Sequence, residues 1–164
     1  MDVFDAISKR ASVREYKEKS IEKALLEKLV DAGRRAPTAR AVEPWEFVVV
    51  TDRGTLKKLG QIANTGSFIK DAGCCIAVYC KETKYYLEDG VAATENILIQ
   101  AAGLGLGACW VAGDKKPYTE EVSLLLGVPP EMKLISLLSL GWPKDEPMQK
   151  KNRSLKDVMH WEKF

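Results

Sequence analysis

Two runs of continuous apolar residues mark the centre of the predicted fold. One lies within residues 45–51 and contains Phe47-Val48-Val49-Val50, and the other is Cys74-Cys75-Ile76-Ala77-Val78-Tyr79-Cys80. Uninterrupted runs of this length, rich in β-branched side chains, are typical of strands that are covered on both faces. Two further runs, residues 108–112 and 133–140, predict a third and a fourth strand.

The segments between these runs have helical periodicity. Helices are predicted over residues 2–9, from an N-cap at Ser20 to about Arg35, after Asp52 or Thr51, over 118–126, and from Ser154 to Trp161. The longest pattern, residues 85–104, is apolar almost all round, which is typical of a buried helix. We expect this helix to pack against its own sheet and against a second subunit.

Helices and strands alternate irregularly along the chain, which favours an α+β architecture. The expected fold is a mixed, mostly antiparallel sheet of four to five strands flanked by helices in three layers. A chain of 164 residues can bury one core. With no repeat and no linker in the pattern, we expect a single domain over residues 1–164.

The overall charge excludes a general affinity for nucleic acid. Lys and Arg total 25 against 23 Asp and Glu, for a net charge of +2, so any positive site must be local. No apolar run reaches the roughly 18–20 residues of a membrane span, and the acidic start is unlike a signal peptide. We therefore expect a soluble, cytoplasmic protein without a membrane partner.

Four cysteines and one histidine limit the possible chemistry. Cys74, Cys75, Cys80 and Cys109 form no Cys-x-x-Cys pair. Zinc ligation by these thiols with His160 is an alternative, but the spacing is wrong for a structural zinc site. We expect buried, reduced thiols and no metal. No acidic pattern around His160 supports a nucleophilic triad.

Cationic clusters stand near the two ends of the chain. The first is Lys9-Arg10-Ala11-Ser12-Val13-Arg14, and the second is Lys150-Lys151-Asn152-Arg153. Guanidinium groups can fork onto phosphate oxygens and stay charged at any working pH. We expect the two ends to converge on one phosphate, although each cluster alone could be a solvated connector or tail. The glycines of residues 103–107 follow a helix and precede a strand, the reverse of a dinucleotide-binding fingerprint.

The order of several motifs resembles the FMN-dependent nitroreductase family. These motifs are Arg-x-Ser-x-Arg at 10–14, Ala36-Pro37-Thr38 leading to Glu43-Pro44-Trp45, the segment 88–96, Gly105-Leu106-Gly107-Ala108-Cys109-Trp110, Gly141-Trp142-Pro143 and Lys151-x-Arg153. They extend from about residue 2 to residue 161. No single motif is specific, and the resemblance rests on their common order.

The resemblance implies an intertwined homodimer with FMN at the subunit interface. Arg10, Lys151 and Arg153 would bind the phosphate, and Ala11 and Ser12 the phosphate or ribityl chain. Arg14 would lie at the pyrimidine edge of the ring and tune the flavin. The remaining implied contacts are Arg35, Pro37, Thr38 and Ala39 from the partner chain, and the backbone of Trp110, Val111 and Gly113 on the other side of the ring.

The implied activity is NAD(P)H-dependent reduction of nitroaromatics, quinones or similar electron-poor acceptors by a ping-pong mechanism. The flavin would carry the chemistry, so no catalytic side chain is required. An FMN carrier or sensor without nicotinamide turnover is the alternative. The family loop often has Asn and Gln where this chain has Ala41 and Glu43. Together with short connections after Lys81 and Gly113, this predicts an open site with loose substrate choice.

Overall fold

The chain folds around a four-stranded sheet. The structure is a computed structural model that describes residues 1–164. The strands are β1 (Trp45–Val50), β2 (Cys74–Lys81), β3 (Gly107–Ala112) and β4 (Met132–Gly141), in the order β1-β2-β4-β3. All three strand pairs are antiparallel, so the expectation of a mixed sheet is wrong. The one parallel pairing is an isolated bridge between Ser12 and Ala108.

Helices cover both faces of the sheet, which confirms the three-layer α+β arrangement. The helices are α1 (Val3–Lys9), α2 (Lys23–Arg34), α3 (Arg53–Ile62), α4 (Tyr86–Gly103) and α5 (Thr119–Leu126), with 3₁₀ turns at Ala39–Ala41, Asn64–Asp71 and Leu155–Asp157. The first layer contains α1, α2 and α4, and the second contains α3, α5 and the turn at 64–71.

Strand β2 supplies both cores because its side chains alternate between the faces. Ile76 packs with Leu29 of α2 and Ile97 of α4 in one cluster, whereas Tyr79 packs with Leu56 of α3 in the other. All four cysteines are buried and free, and no cluster of potential metal ligands is present. The expectation of small buried thiols is therefore confirmed.

The cationic connector after α1 runs beside the outer edge of β3. The Val13 amide donates to the Ala108 carbonyl at 2.9 Å, and the Lys17 amide donates to the Trp142 carbonyl at 2.8 Å. Gly107 permits this approach, since a Cβ there would lie 2.7 Å from the Val13 side chain. The connector is thus tied to the sheet at both ends.

Two local predictions are wrong. Ser20 does not cap α2, which begins at Lys23 after an N-cap at Glu22. The Ser20 carbonyl instead accepts the Trp142 indole N–H at 3.1 Å. The predicted helix from Ser154 to Trp161 is only a 3₁₀ turn over Leu155–Asp157. A capping box closes this turn, in which the Asp157 carboxylate accepts a hydrogen bond from the Ser154 amide.

Strand β1 lies at the edge of the sheet, and both of its faces are packed, since Trp45 belongs to the core around Ile76 and Val50 to the core around Tyr79. The cover is incomplete, since Val49 is 40% exposed and Glu46 is also exposed. Continuous apolar composition alone could not distinguish an edge position from a central one. None of the helices combines the length and apolar composition needed to cross a bilayer.

Candidate functional site

Residues from both ends of the chain line one cavity of about 420 Å³. The connector contributes a guanidinium and a hydroxyl, and the C-terminal tail contributes an ammonium group. The full lining is Ile7, Arg10, Ser12, Glu95, Leu98, Trp110, Gln149 and Lys151. The predicted convergence of Arg10 and Lys151 therefore occurs within a single chain.

Gln149 holds the two ends together. Its side-chain amide donates to the Arg10 carbonyl at 2.8 Å and to the Ile7 carbonyl at 3.3 Å. These carbonyls belong to the end of α1, where helical acceptors lack intrahelical partners. The tail is thereby fixed two residues before Lys151.

The cavity has a positive lining with one opposing carboxylate. The Arg10 Nε atom lies 3.9 Å from Oε1 of Glu95, and both side chains are partly exposed. Arg10, Lys151 and Ser12 together offer the charged and neutral donors that a phosphate monoester accepts. The chemistry of this donor set fits a phosphate, with Glu95 as the group that opposes it.

Arg14 lies outside the cavity lining and against an aromatic ring. Its guanidinium carbon is 5.6 Å from the centroid of Phe68, a cation–π distance. Burial raises the pKa of the neighbouring Cys109 thiol, while Arg14, the Ser12 side chain and Arg10 act in the opposite direction. Ser12 forms an isolated bridge with Ala108, so this part of the connector lies beside the start of β3.

A buried tyrosine fixes the connector. The Tyr16 hydroxyl donates to the Val13 carbonyl at 2.6 Å and shares a hydrogen bond of 2.7 Å with the Ser139 hydroxyl. Burial raises the pKa of Tyr16 far above its ordinary value, so its hydroxyl stays protonated and can donate. A Cβ at Gly141 would lie 2.6 Å from the Tyr16 ring, so the ring needs this glycine.

The loop before β1 depends on a buried carboxylate. Asp89 of α4, only 5% exposed, accepts hydrogen bonds from the Thr38 hydroxyl at 2.9 Å and from the Ala39 amide at 3.0 Å. The Glu43 amide donates in turn to the Thr38 hydroxyl at 3.1 Å. Arg40, Ala41 and Glu43 have positive φ values of 60°, 53° and 49°, a conformation unfavourable for residues other than glycine.

Four of the predicted contacts lie away from the cavity of their own chain. Arg35 donates through Nε to Asp31 at 2.8 Å and lines a separate groove with Val3 and Asn96. Thr38 and Ala39 belong to the loop on Asp89, and Pro37 is exposed beside it. These four residues therefore do not line the cavity that contains Arg10 and Lys151.

The remaining predicted contacts differ in how far they are exposed to solvent. Arg153 is exposed and donates to the Asp157 carbonyl, within its own terminal turn. Val111 is buried, and Gly113 lies tightly on β4, where a Cβ would be 2.6 Å from Leu134. Ala11 is partly buried between Arg10 and Ser12. The structure therefore brings Arg10, Ser12, Trp110 and Lys151 together, but not Arg153.

A family model describes most of this chain. The model of the nitroreductase family matches residues 7–81 and 63–142, which include the connector, the Thr38 loop, α4 and β3. The chain belongs to the nitroreductase family. The resemblance carried by the sequence motifs is thereby confirmed.

Relatives within the family match over nearly their whole length. A protein of Archaeoglobus fulgidus named "Putative NADH dehydrogenase/NAD(P)H nitroreductase" is 35% identical to this chain, and the match covers 94% of each chain. A crystal structure with the same name from Bacteroides thetaiotaomicron VPI-5482 has a TM-score of 0.92 at 30% identity, covering 99% of this chain and 98% of that one. An FMN-dependent nitroreductase of Clostridium difficile R20291 has a TM-score of 0.90 at 28% identity, covering 98% and 99%.

Sequence reasoning missed four residues that shape this nitroreductase-family site. They are Phe68 under Arg14, Asp89 under the loop, Glu95 beside Arg10, and Gln149 between the chain ends. A usable signal existed for the two acidic residues, since a carboxylate on a helix that is otherwise apolar faces either a partner or a cavity. Gln149 and Phe68 lie in segments without a distinguishing pattern.

Proposed function

We propose that this chain is an FMN-dependent oxidoreductase that uses NAD(P)H to reduce nitroaromatics, quinones or similar electron-poor acceptors. The observation that carries this proposal is the cavity where Arg10, Ser12 and Lys151 converge beside Trp110. Its donors fit the phosphate of FMN. The relationship to an FMN-dependent nitroreductase over nearly the whole chain supports the same cofactor.

The chain's own residues bind and orient the cofactor. Arg10 and Lys151 neutralise the phosphate, and the Ser12 hydroxyl donates to it. Arg14, held against Phe68, supplies a fixed positive charge for the pyrimidine edge of the ring, where preorganised charge stabilises a developing anion. Bound FMN would supply the hydride and electron-transfer chemistry, which no side chain of this chain has to provide.

The loop connections favour a shared, open substrate site. The turn between β2 and α4 is short, and residues 113–118 lead directly into α5. No side chain of this chain needs to act as an acid if solvent supplies the protons. Donor and acceptor would then bind alternately at the same exposed face, which is the ping-pong order.

We also propose that the functional unit is a homodimer in which one chain completes the site of the other. Residues 151–164 are all exposed, and they carry large apolar side chains that a monomer leaves in water. Among these are Leu155, Trp161 and Phe164, with exposures of 69%, 77% and 106%, while Val3 and Phe4 on α1 are 73% and 75% exposed. Apolar surface of this extent is typical of an interface.

Anaerobic rapid mixing tests the enzymatic proposal. The FMN-loaded protein is mixed with NADH or NADPH, and the flavin absorbance is followed before and after addition of a quinone. Bleaching by at least one donor, followed by recovery with the quinone, is expected. If neither donor bleaches the bound flavin, the proposal is wrong, and the chain would instead be an FMN carrier or sensor.

A further inference from the structure

Asp89 is an acidic residue of α4 whose side chain is buried. It is one of four buried polar residues, together with Thr94, Ser136 and Ser139, and the only one with a charge. It forms no ion pair with Lys or Arg. A buried carboxylate needs compensation, and here the compensation comes from two loop donors and the first turn of α4.

The backbone beneath Asp89 cannot easily move. The adjacent Gly90 lies so close to the sheet that a Cβ would be 2.5 Å from Ile135 and 3.0 Å from the Cys80 sulfur. Asp89 therefore presents its carboxylate from a rigid base. The loop that it binds is 50 residues away in the sequence and is otherwise mostly exposed.

The loop itself needs an external hold. Three of its residues, Arg40, Ala41 and Glu43, have positive φ, and none of them is glycine or asparagine. Left-handed conformations of such residues persist only when the surroundings impose them. The bonds from Thr38 and Ala39 to Asp89, extended by the Glu43 amide, provide that constraint.

We infer that Asp89 is a positioning residue for the cofactor site: its buried carboxylate holds the Thr38–Glu43 loop of one chain in the shape that closes over the FMN bound by its partner. This inference rests on the proposed function. Asp89 acts through Thr38 and Ala39 and does not itself contact the cofactor. Its loss should therefore weaken FMN binding because the loop relaxes, and not because the fold melts.

Two isosteric variants test this inference in the apoprotein. Asp89→Asn gives the loop one acceptor and one mismatched amide group, and Thr38→Val removes the bridging hydroxyl. For each variant, FMN affinity is measured by flavin fluorescence quenching, and amide hydrogen exchange is measured across the loop. We expect FMN binding to weaken by about tenfold or more, with faster exchange at Ala39 and Glu43.

Two control variants separate positioning from charge and from stability. Glu88→Gln removes the same charge from the same turn of α4, but its exposed side chain has no bond to the loop. Val122→Ala, on α5 in the other core, lowers the unfolding midpoint without touching the loop. Both are expected to bind FMN within about twofold of the wild type.

The outcomes distinguish this inference from the proposed function. If the wild type binds FMN and Asp89→Asn binds it equally well, Asp89 does not position the loop and the inference is overturned alone. The same holds if Val122→Ala weakens FMN binding as much as Asp89→Asn does. A wild-type chain that binds no FMN overturns the proposed function and this inference with it.

Discussion

Glu95 is the one residue whose charge opposes the proposed ligand of the cavity. Its carboxylate lies 3.9 Å from Arg10 and faces the same space as Lys151. A phosphate must compete with it for the guanidinium, and partly exposed charges of this kind interact with a free energy of about 1 kcal/mol or less. Glu95 thus sets how tightly the cavity can bind an anion.

We predict that Glu95→Gln tightens FMN binding. The amide removes the competing charge but keeps the size of the side chain, so the dissociation constant should fall about threefold to fivefold. Titration of the apoprotein with FMN measures it. The control is Glu121→Gln on α5, exposed and far from the cavity lining. Unchanged or weaker binding in Glu95→Gln would show that Glu95 does not oppose the phosphate.

Ala41 is the residue in the loop with the clearest conformational mismatch. Its φ is 53°, and Ala41→Gly removes the Cβ that disfavours this region. We predict that the substitution raises the free energy of unfolding by about 0.5–1 kcal/mol, as measured by urea unfolding. The same change at Ala92, inside α4, should lower it by about 1 kcal/mol. A loss of stability at both positions would mean that Ala41 is not left-handed in solution.

Single residues were predictable where their chemistry stands out in the sequence. Arg10, Ser12 and Lys151 belong to dense polar clusters, and they line one cavity as expected. Arg153 belongs to the same pattern, yet it bonds to its own terminal turn. An acidic residue on the apolar helix α4 was visible in the sequence, but the partners of Asp89 were not, because they lie 50 residues away and no local pattern encodes such a distance.

At the scale of elements, helix α3 begins at a side-chain N-cap, Asp52. The Asp52 carboxylate accepts hydrogen bonds from the Thr55 amide at 2.7 Å and the Thr55 hydroxyl at 2.9 Å. These bonds lower the pKa of Asp52 below its ordinary value of 3.8, the backbone bond contributing most. Because the pKa is lower in the folded state, the ionised cap contributes its full stability at pH values above 3.8. This contribution is lost as the pH falls through the folded-state pKa.

We predict that Asp52→Ala lowers the unfolding midpoint at pH 7, and that this difference disappears in acid. Loss of the N-cap bond destabilises α3 at neutral pH. Below the folded-state pKa the wild-type carboxylate is protonated, so the wild type also loses the ionised cap. Thermal unfolding of both proteins between pH 7 and pH 2 measures the gap. A gap that stays constant or widens in acid would contradict the role of the ionised cap.

Elements with strong periodicity were predicted well, and those that depend on tertiary partners were not. Strand β2 and helix α4 lie within a residue of their predicted bounds, because their apolar patterns are long and unbroken. Ser20 had the chemistry of an N-cap, but α2 begins three residues later, at Lys23, and the Ser20 carbonyl is bound by the Trp142 indole. The edge position of β1 depends on strand order, which its composition does not contain.

At the scale of the whole molecule, the exposed C-terminal arm (residues 151–164) has apolar side chains that a second chain would cover in the proposed dimer. We predict that Trp161→Ala combined with Phe164→Ala raises the dimer dissociation constant by about tenfold or more, since buried aromatic residues dominate interface energetics. Leu124→Ala is the matched control, as Leu124 is 83% exposed on α5, outside the arm. Analytical ultracentrifugation provides the measurement. A wild-type chain that is monomeric at micromolar concentration would contradict the proposed dimer.

The central claim is that Arg10, Ser12 and Lys151 form a site for the phosphate of FMN. Its most direct test is to compare binding of FMN with binding of riboflavin, which lacks the phosphate, by the wild type and by Arg10→Ala. We predict that the wild type binds FMN about a hundredfold more tightly than riboflavin, and that Arg10→Ala loses about tenfold or more of this preference while binding riboflavin as before. Equal affinity of the wild type for the two flavins would contradict the account.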